Sequence, residues 1–107
     1  MARAIEFWAP GVGIPKAAAR RARRLEDEGW SGLGLVDSQC LARDSYIGLA
    51  MAAAATTHLK RATAVTNSAT RHPAAAATAA ATLQAESGGR FVLGIGRGDS
   101  ALAYLGL

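Results

Sequence analysis

Four short apolar runs recur along this chain of 107 residues, and each of them ends in small or polar residues. The runs are residues 5–8, 33–38, 62–67 and 91–96, and the stretches between them are rich in alanine, a strong helix former. Strand-like runs that alternate with helix-like stretches predict an α/β fold with a parallel sheet. In such folds the carboxyl ends of the strands carry the chemistry.

The spacing of these runs predicts about four βα units in one domain, residues 1–107, with no linker. We expect strands over residues 5–8, 32–36, 61–65 and 91–95, and helices over 15–28, 45–57, 73–87 and 101–105. Residues 9–13 are expected to form a loop, because Pro10, Gly11 and Gly13 interrupt regular structure. A closed (β/α)8 barrel needs about 250 residues, so the chain would supply a partial TIM barrel, roughly its amino-terminal half.

Composition excludes several classes of protein. The net charge is +4, but the basic residues between Lys16 and Arg24 lack interleaved aromatic residues and are followed by acids, which favours a solvated helix face over a nucleic-acid surface. The single cysteine, Cys40, excludes an internal disulfide and favours a reducing cytoplasm. Two isolated histidines argue against a metal site. The sequence has no apolar stretch of membrane-spanning length, so we expect a cytoplasmic protein without a membrane partner.

The exit of the fourth predicted strand is rich in glycine and is the sharpest chemical signal. Gly96 and Gly98 would let the backbone approach a ligand, Arg97 could pair with a phosphate or carboxylate, and Ser100 could cap a following helix. The spacing is neither that of a dinucleotide-binding fold nor that of a P-loop. A tight turn without a ligand explains the same residues equally well.

Polar residues also follow the second and third strands. Asp37 could orient a substrate or move a proton, although a helix cap or a hydrogen bond to loop backbone is the simpler interpretation. Ser38 could donate a hydrogen bond to a ring or hydroxyl. Thr66 and Asn67 could bind a polar ring edge or could simply end a strand. His72 precedes Pro73 and is expected to cap a helix.

Three stretches of the sequence resemble the amino-terminal part of the luciferase-like superfamily of flavin- or deazaflavin-dependent oxidoreductases. They are residues 66–73 (TNSATRHP), 82–90 (TLQAESGGR) and 93–100 (LGIGRGDS). The last stretch is most similar to the methylenetetrahydromethanopterin reductase branch. The resemblance covers nearly the whole chain, and the order and spacing of the three stretches match the family.

The resemblance implies a (β/α)8 barrel that binds coenzyme F(420), which is a deazaflavin, or FMN. It implies hydride transfer between the reduced cofactor and a small organic substrate, or monooxygenation, in a homo-oligomer. Asp37 would be the catalytic polar group near the reactive ring. The cofactor-binding residues would be Ser38, Val65, Thr66, Asn67, Gly96, Arg97, Gly98 and Ser100. In this family the third strand carries a bulge, often with a non-proline cis peptide bond, that supports the ring.

Several positions depart from the family pattern. Glu86 replaces an apolar residue before the Ser-Gly-Gly sequence, Lys60 and Arg61 replace an apolar residue and a glycine, and Ser68 replaces a frequent proline. The family's later strands, which supply much of the phosphate-tail site, are absent from these 107 residues, and we therefore expect the chain to be incomplete as an enzyme. The alternative is a non-catalytic half-barrel that dimerises or binds a partner.

Overall fold

Strands and helices alternate along the chain in the computed structural model, which describes residues 4–107. The strands are β1 (Trp8–Gly11), β2 (Gly32–Leu35), β3 (Lys60–Thr63), β4 (Thr66–Asn67), β5 (Phe91–Val92) and β6 (Ile95–Gly96). The helices are α1 (Pro15–Asp27), α2 (Ser45–Ala55), α3 (Pro73–Glu86) and α4 (Asp99–Tyr104). The predicted α/β class and the strand–helix alternation are therefore confirmed.

A parallel four-stranded sheet in the order β1-β2-β3-β5 forms the centre of the fold. Its register pairs Leu33 of β2 with Ala9 of β1 and with Arg61 of β3, and Arg61 in turn pairs with Phe91 of β5. Parallel neighbours joined by helical crossovers are the repeating unit of a TIM barrel. Four consecutive neighbours in chain order are what a partial barrel requires.

One face of the sheet packs against the helices. Leu33 and Leu35 are fully buried there, against a core made of small and aliphatic residues. The helical members of this core are Ala18, Ala22 and Leu25 from α1, Leu49 and Ala52 from α2, and Leu83 from α3. The many alanines allow close helix–sheet contact, but each one buries little apolar area.

The third strand contains a bulge between β3 and β4. Ala62 pairs with Val92, and Thr66 pairs with Ile95, so the β3–β4 strand spans four residue steps where its neighbour spans three. The extra residue is a β-bulge, which bends the strand. The peptide bond between Ala64 and Val65 is cis, as the family resemblance implied for this place. The bulge separates β4 and β6 into a second, two-stranded parallel ladder.

The predicted position of the first strand was wrong. The chain pairs over Trp8–Gly11, so only Trp8 belongs to the predicted strand, and the other three residues of β1 lie in the segment expected to be a loop. β1 lies at the edge of the described sheet, where a proline is tolerated because its missing N–H need not join a ladder. Pro10 therefore occupies a strand position opposite Gly34.

The amino-terminal end of the sheet holds two arginines, the buried Arg61 and the half-buried Arg90, which we call the base cluster. Both donate hydrogen bonds to the carbonyl of Leu59, at 2.9 Å from Arg61 and 3.1 Å from Arg90. Both also donate to the hydroxyl of Thr56, at 3.4 Å from Arg61 and 3.2 Å from Arg90. Arg90 also donates to the carbonyl of Thr56 at 3.2 Å, just beyond the end of α2. Arg61 is completely buried, and within residues 4–107 its Nε and Nη2 have no partner.

Glu26, near the end of α1, lies close to the base cluster. Its carboxylate accepts hydrogen bonds from the backbone N–H groups of Thr57, His58 and Leu59. Burial raises the pKa of Glu26, but these hydrogen bonds outweigh it and bring the pKa to about 2. For Arg61, burial and the neighbouring charge of Arg90 lower the pKa to about 10. The carboxylate thus connects α1 to the segment that enters β3.

Candidate functional site at the carboxyl ends of the strands

Asp37, directly after β2, is the centre of a buried hydrogen-bond network at the opposite end of the sheet. Its Oδ2 accepts from Thr66 Oγ1 at 2.7 Å, and its Oδ1 accepts from Ser45 Oγ and Gln39 Nε2, each at 3.0 Å. Arg71 Nη1 donates a short hydrogen bond to Oδ2. Four donors on one buried carboxylate fix its position.

Electrostatics keep this carboxylate ionised. Burial raises the pKa of Asp37, but the hydrogen bonds from Thr66 and Arg71, together with the charge of Arg71, outweigh it, so the pKa lies below its usual value. Burial conversely lowers the pKa of Arg71, and the hydrogen bond and charge of Asp37 more than compensate. The pair therefore remains charged across the neutral pH range.

Arg71 reaches a second carboxylate and an aromatic ring. Its Nη2 lies 2.6 Å from Oδ1 of Asp44, and its guanidinium carbon lies 4.4 Å from the ring centre of Tyr46. Asp44 also caps α2, because its other oxygen accepts from the backbone N–H of Ile47 at 3.0 Å. We call Asp37, Asp44, Ser45, Thr66 and Arg71 the mouth cluster.

The side chain of Asn67, beside Thr66 in β4, holds the loop that follows through its oxygen, whereas its nitrogen makes no hydrogen bond to the described residues. Its Oδ1 accepts from the backbone N–H groups of Ala69 and Thr70, both at 2.9 Å. Its Nδ2 is buried, and no acceptor for it lies within the described residues. A buried amide donor without a partner indicates a missing ligand or water at that position.

The glycines of the fourth strand make room for the bulge and for Asn67. A Cβ on Gly94 would lie 2.2 Å from the carbonyl oxygen of Thr63, so only glycine fits there. Gly98 has φ +74°, and a Cβ on it would lie 2.8 Å from the Cβ of Asn67. The side chain of Val65 lies over Gly94 and Gly96 and remains 46% exposed. Val65 therefore presents a half-exposed apolar side chain next to the glycines of the fourth strand.

The structure brings most of the predicted site residues to one end of the sheet. Thr66 contacts Asp37 directly, and Asn67 pairs with Gly96 in the β4–β6 ladder. Ser38 is half-buried next to Asp37 in the chain, and its carbonyl accepts from the backbone N–H groups of residues 41 and 42. Which of these residues bind or act on a ligand stays a prediction.

Arg97 and Ser100 lie at the exposed margin of this site. The Arg97 side chain is 89% exposed, and its Nε lies 3.4 Å from Oδ1 of Asp99. Ser100 is exposed in the first turn of α4, and the backbone of Gly98, not the Ser100 side chain, occupies the N-cap position. Their predicted roles in cofactor binding also stay predictions.

Sequence reasoning did not assign three members of the mouth cluster, Asp44, Ser45 and Arg71, to the site. From the sequence, Ser45 or Asp44 is expected to cap the second helix; Asp44 does cap α2, whereas Ser45 binds Asp37. Arg71 was noted only as part of the Arg-His-Pro sequence, in which His72 does cap α3 by accepting from Ala74 N at 3.1 Å. Arg71 is separated from Asp37 by 34 residues of sequence. A single arginine or serine carries no local pattern that would indicate a hydrogen bond to a carboxylate in another segment.

Among residues 4–107, no three His, Cys, Asp or Glu side chains lie together in a way that could hold a metal ion. None of the helices in the same range is long and apolar enough to cross a membrane.

Comparison with known proteins identifies the family. The luciferase-like monooxygenase family matches residues 8–106, and the chain therefore belongs to this family. The resemblance seen in the sequence is thereby confirmed. Family membership and the parallel βα units together confirm the TIM-barrel-type fold class for this chain.

Among individual proteins, the chain is similar to 5,10-methylenetetrahydromethanopterin reductase of Methanopyrus kandleri. The identity is 47% over 58 residues, which are 53% of this chain and 17% of the reductase. The solved structure of the coenzyme F420 dependent tetrahydromethanopterin reductase from the same organism superposes with a TM-score of 0.90 at 29% identity. That superposition covers 98% of this chain and 31% of the reductase chain, so this chain spans less than a third of that protein.

Two monooxygenases share the fold at lower identity. Monooxygenase RslO1 from Streptomyces bottropensis superposes with a TM-score of 0.78 at 22% identity, over 94% of this chain and 36% of its own. The oxygenating constituent of 3,6-diketocamphane monooxygenase from Pseudomonas putida, solved with FMN, gives 0.74 at 23% identity, over 88% and 30%. Likeness at this level supports the fold alone.

Proposed function

We propose that this chain forms the amino-terminal, cofactor-facing part of an oxidoreductase that transfers hydride between a reduced deazaflavin or flavin and a small organic substrate. The observation that carries the proposal is the meeting, at the carboxyl ends of β4 and β6, of the bulge, a glycine-rich strand and the buried Asn67 amide, which has no acceptor among residues 4–107. Ligands in parallel α/β folds bind at this end of the sheet.

The residues present fit a planar ring with a polar edge. The half-exposed Val65 offers an apolar contact for a ring face, and the buried Nδ2 of Asn67 offers a hydrogen bond to a ring carbonyl. Gly96 and Gly98 leave room for the side chains of Val65 and Asn67, respectively, and so allow both residues to lie at this end of the sheet. When bound, the cofactor would supply the hydride chemistry, and the protein would supply orientation and exclusion of water.

The remaining predicted residues would hold the parts of the cofactor beyond the ring. Arg97 is exposed and positively charged and would pair with a phosphate, and Ser100 would donate a hydroxyl hydrogen bond beside it. Ser38 would bind the ring margin next to Asp37. We propose that Asp37, whose oxygens already accept four hydrogen bonds, acts through its fixed negative charge and its hold on Thr66.

A deazaflavin is the cofactor we favour. The reductase that is 47% identical to this chain over 58 residues is named for a methanopterin substrate. The solved reductase structure from the same organism is named as dependent on coenzyme F420. The relative solved with FMN is only 23% identical. The catalytic outcome, reductase or monooxygenase, depends on the substrate side of the site.

A fluorescence titration with coenzyme F(420), and separately with FMN, tests this proposal. We expect saturable binding of the deazaflavin that weakens at least tenfold in Val65→Asp, because a carboxylate would replace the apolar contact with the ring. Ile47→Asp is the matched control, since Ile47 is a similarly exposed aliphatic residue on α2. Absence of binding at millimolar deazaflavin and millimolar FMN would remove the cofactor function from this chain.

A second candidate function is that of a non-catalytic half-barrel that dimerises or binds a partner. Two observations favour it. The face of the sheet turned away from the helices is partly exposed, with Val92 48% exposed. The strands β1 and β5 lie at the edges of the sheet, where they could pair with another chain. Light scattering separates the candidates. A dimer that binds neither cofactor supports the half-barrel, whereas a monomer excludes its dimeric form. A dimer that binds deazaflavin supports the proposed homo-oligomeric, cytoplasmic oxidoreductase.

A further inference from the structure

We propose that Arg71 is the positioning residue of the candidate site, because it fixes the segment after β4 against the segment after β2 and thereby sets the position of Asn67. The inference rests on the proposed function. Arg71 bridges two carboxylates of the β2–α2 segment, Asp37 and Asp44, through different nitrogens.

The geometry of this bridge requires a guanidinium. Nη1 donates to Asp37 and Nη2 to Asp44, while the flat face of the group lies 4.4 Å from the Tyr46 ring centre. A planar fork can meet two carboxylates and an aromatic face at once, whereas the ammonium of lysine is a point charge without a plane. Arginine at this position is therefore a specific requirement and not only a positive charge.

The bridge is connected to Asn67 by a short and well-fixed segment. The Asn67 Oδ1 holds Ala69 and Thr70 through their backbone N–H groups, and it accepts from the Thr70 hydroxyl at 3.1 Å. Arg71 follows at once, with its side chain 17% exposed and directed into the mouth cluster. A displacement of Arg71 would therefore reach the free Nδ2 of Asn67 through only a few hydrogen-bonded residues.

The charges around Asp37 give this role a signature beyond stability. Arg71 is the cation bonded to Asp37, Asp44 is the neighbouring acid, and Arg43 and Cys40 belong to the same β2–α2 segment. Without Arg71, burial of Asp37 favours its protonated form. A variant that lacks the guanidinium would leave a buried, unpaired carboxylate near neutral pH and a neutral one at lower pH.

The test measures deazaflavin affinity between pH 5 and pH 8 for the wild-type chain, Arg71→Met, Arg71→Lys and Arg43→Met. Arg43→Met is the matched control, because Arg43 is an exposed arginine of the segment that Arg71 contacts. We expect at least tenfold weaker binding at pH 7.5 for both Arg71 variants and no change for the control. Affinity of Arg71→Met should recover only partly as the pH falls, because protonation of Asp37 removes the unpaired buried charge but does not restore the bridge, and the double variant Arg71→Met with Asp37→Asn should show the same partial recovery at every pH.

Arg71 variants that bind like the wild type at each pH would overturn the inference, even if they unfold more easily. If Arg71→Met does not fold, Arg71→Lys decides by the same comparison. If the wild-type chain binds no deazaflavin, the proposed function fails, and the side-chain amide resonance of Asn67 in the ligand-free protein tests the positioning role alone. That resonance should shift in Arg71→Lys and stay in place in Arg43→Lys, and an unchanged resonance would contradict the role.

Discussion

The mouth cluster and the base cluster are two buried ionic groups at opposite ends of one small sheet, and they are built in opposite ways. In the mouth cluster, one arginine lies between two carboxylates, and the buried carboxylate of Asp37 has four donors. In the base cluster, two arginines share the same backbone carbonyl and hydroxyl, and two nitrogens of Arg61 have no hydrogen-bond partner in the part of the chain that the structure describes.

This difference suggests what each cluster contributes. A balanced network with every Asp37 oxygen satisfied holds strand exits in place, which is what a binding site requires. Arg61 and Arg90 donate to carbonyl groups near the carboxyl end of α2 and so neutralise the negative end of that helix dipole. Burying the charge of Arg61 as well costs desolvation free energy. We therefore expect Asp37 of the mouth cluster to be intolerant of substitution and Arg61 of the base cluster to be replaceable.

The largest effect is expected from breaking the mouth cluster. Asp37→Asn removes the charge that Arg71 and two hydroxyl groups bind, and loss of one partner of a buried pair costs about 3–5 kcal/mol. Urea denaturation measures the free energy of unfolding. Asp44→Asn is the control, because its side chain is 41% exposed and an exposed pair is worth less than about 1 kcal/mol. Equal losses in the two variants would remove the distinction between Asp37 and Asp44.

The base cluster should respond unequally to loss of its two arginines. Arg90→Met leaves the carbonyls of Thr56 and Ser87 without their side-chain donor and should cost about 1–3 kcal/mol. Arg61→Met replaces a buried cation with an apolar chain of similar length and should be neutral or stabilising by about 1 kcal/mol. The same denaturation measurement checks both. A destabilised Arg61→Met protein would show that the hydrogen bonds from Arg61 to Leu59 and Thr56 outweigh the cost of burying its charge.

The carboxylate beside the base cluster should make stability depend on acid. Glu26 has a folded-state pKa of about 2, below its ordinary value of 4.5, so its contribution is complete above the unfolded-state pKa and is lost as the pH falls toward 2. We expect the free energy of unfolding to decrease from pH 5 to pH 2. Glu26→Gln should lower it by about 1 kcal/mol at pH 6 and flatten this decrease. An equally steep pH dependence in Glu26→Gln would assign the acid sensitivity to other groups.

The smallest effect on stability is expected at the margin of the site. Arg97→Ala removes an exposed side chain and should change the free energy of unfolding by less than about 0.5 kcal/mol. The same variant should weaken deazaflavin binding several-fold, more at low salt than at high salt, because screening reduces the attraction to a phosphate. Thermal unfolding and the fluorescence titration separate the two effects. Unchanged binding would exclude Arg97 from the site.

Periodic features of the fold could be predicted from the sequence, whereas contacts between distant segments could not. The alternation of apolar runs with alanine-rich stretches predicted the parallel sheet, and Pro73 marked the start of α3 correctly. The first strand was misplaced because the tolerance of an edge strand for Pro10 depends on its neighbours. The residues after each strand predicted which end carries the candidate site, since parallel strands end together.

The partners of Asp37 needed the folded structure. Thr66 and Arg71 are separated from Asp37 by 29 and 34 residues, and Ser45 reaches it from the next helix. Nothing local in the sequence indicates that four donors converge on one carboxylate. The burial of Arg61 was equally invisible, because a basic residue at the start of a strand is ordinarily exposed.

The central claim, that the mouth end of the sheet receives a planar redox ring, is tested most directly by nuclear magnetic resonance. Deazaflavin is added to the ¹⁵N-labelled chain, and the shift of every backbone amide is followed. The account predicts the largest changes at Val65, Asn67 and Gly96, with the amides of Arg61 and Arg90 unmoved. Changes that centre on the base cluster, or no changes at saturating cofactor, would contradict it.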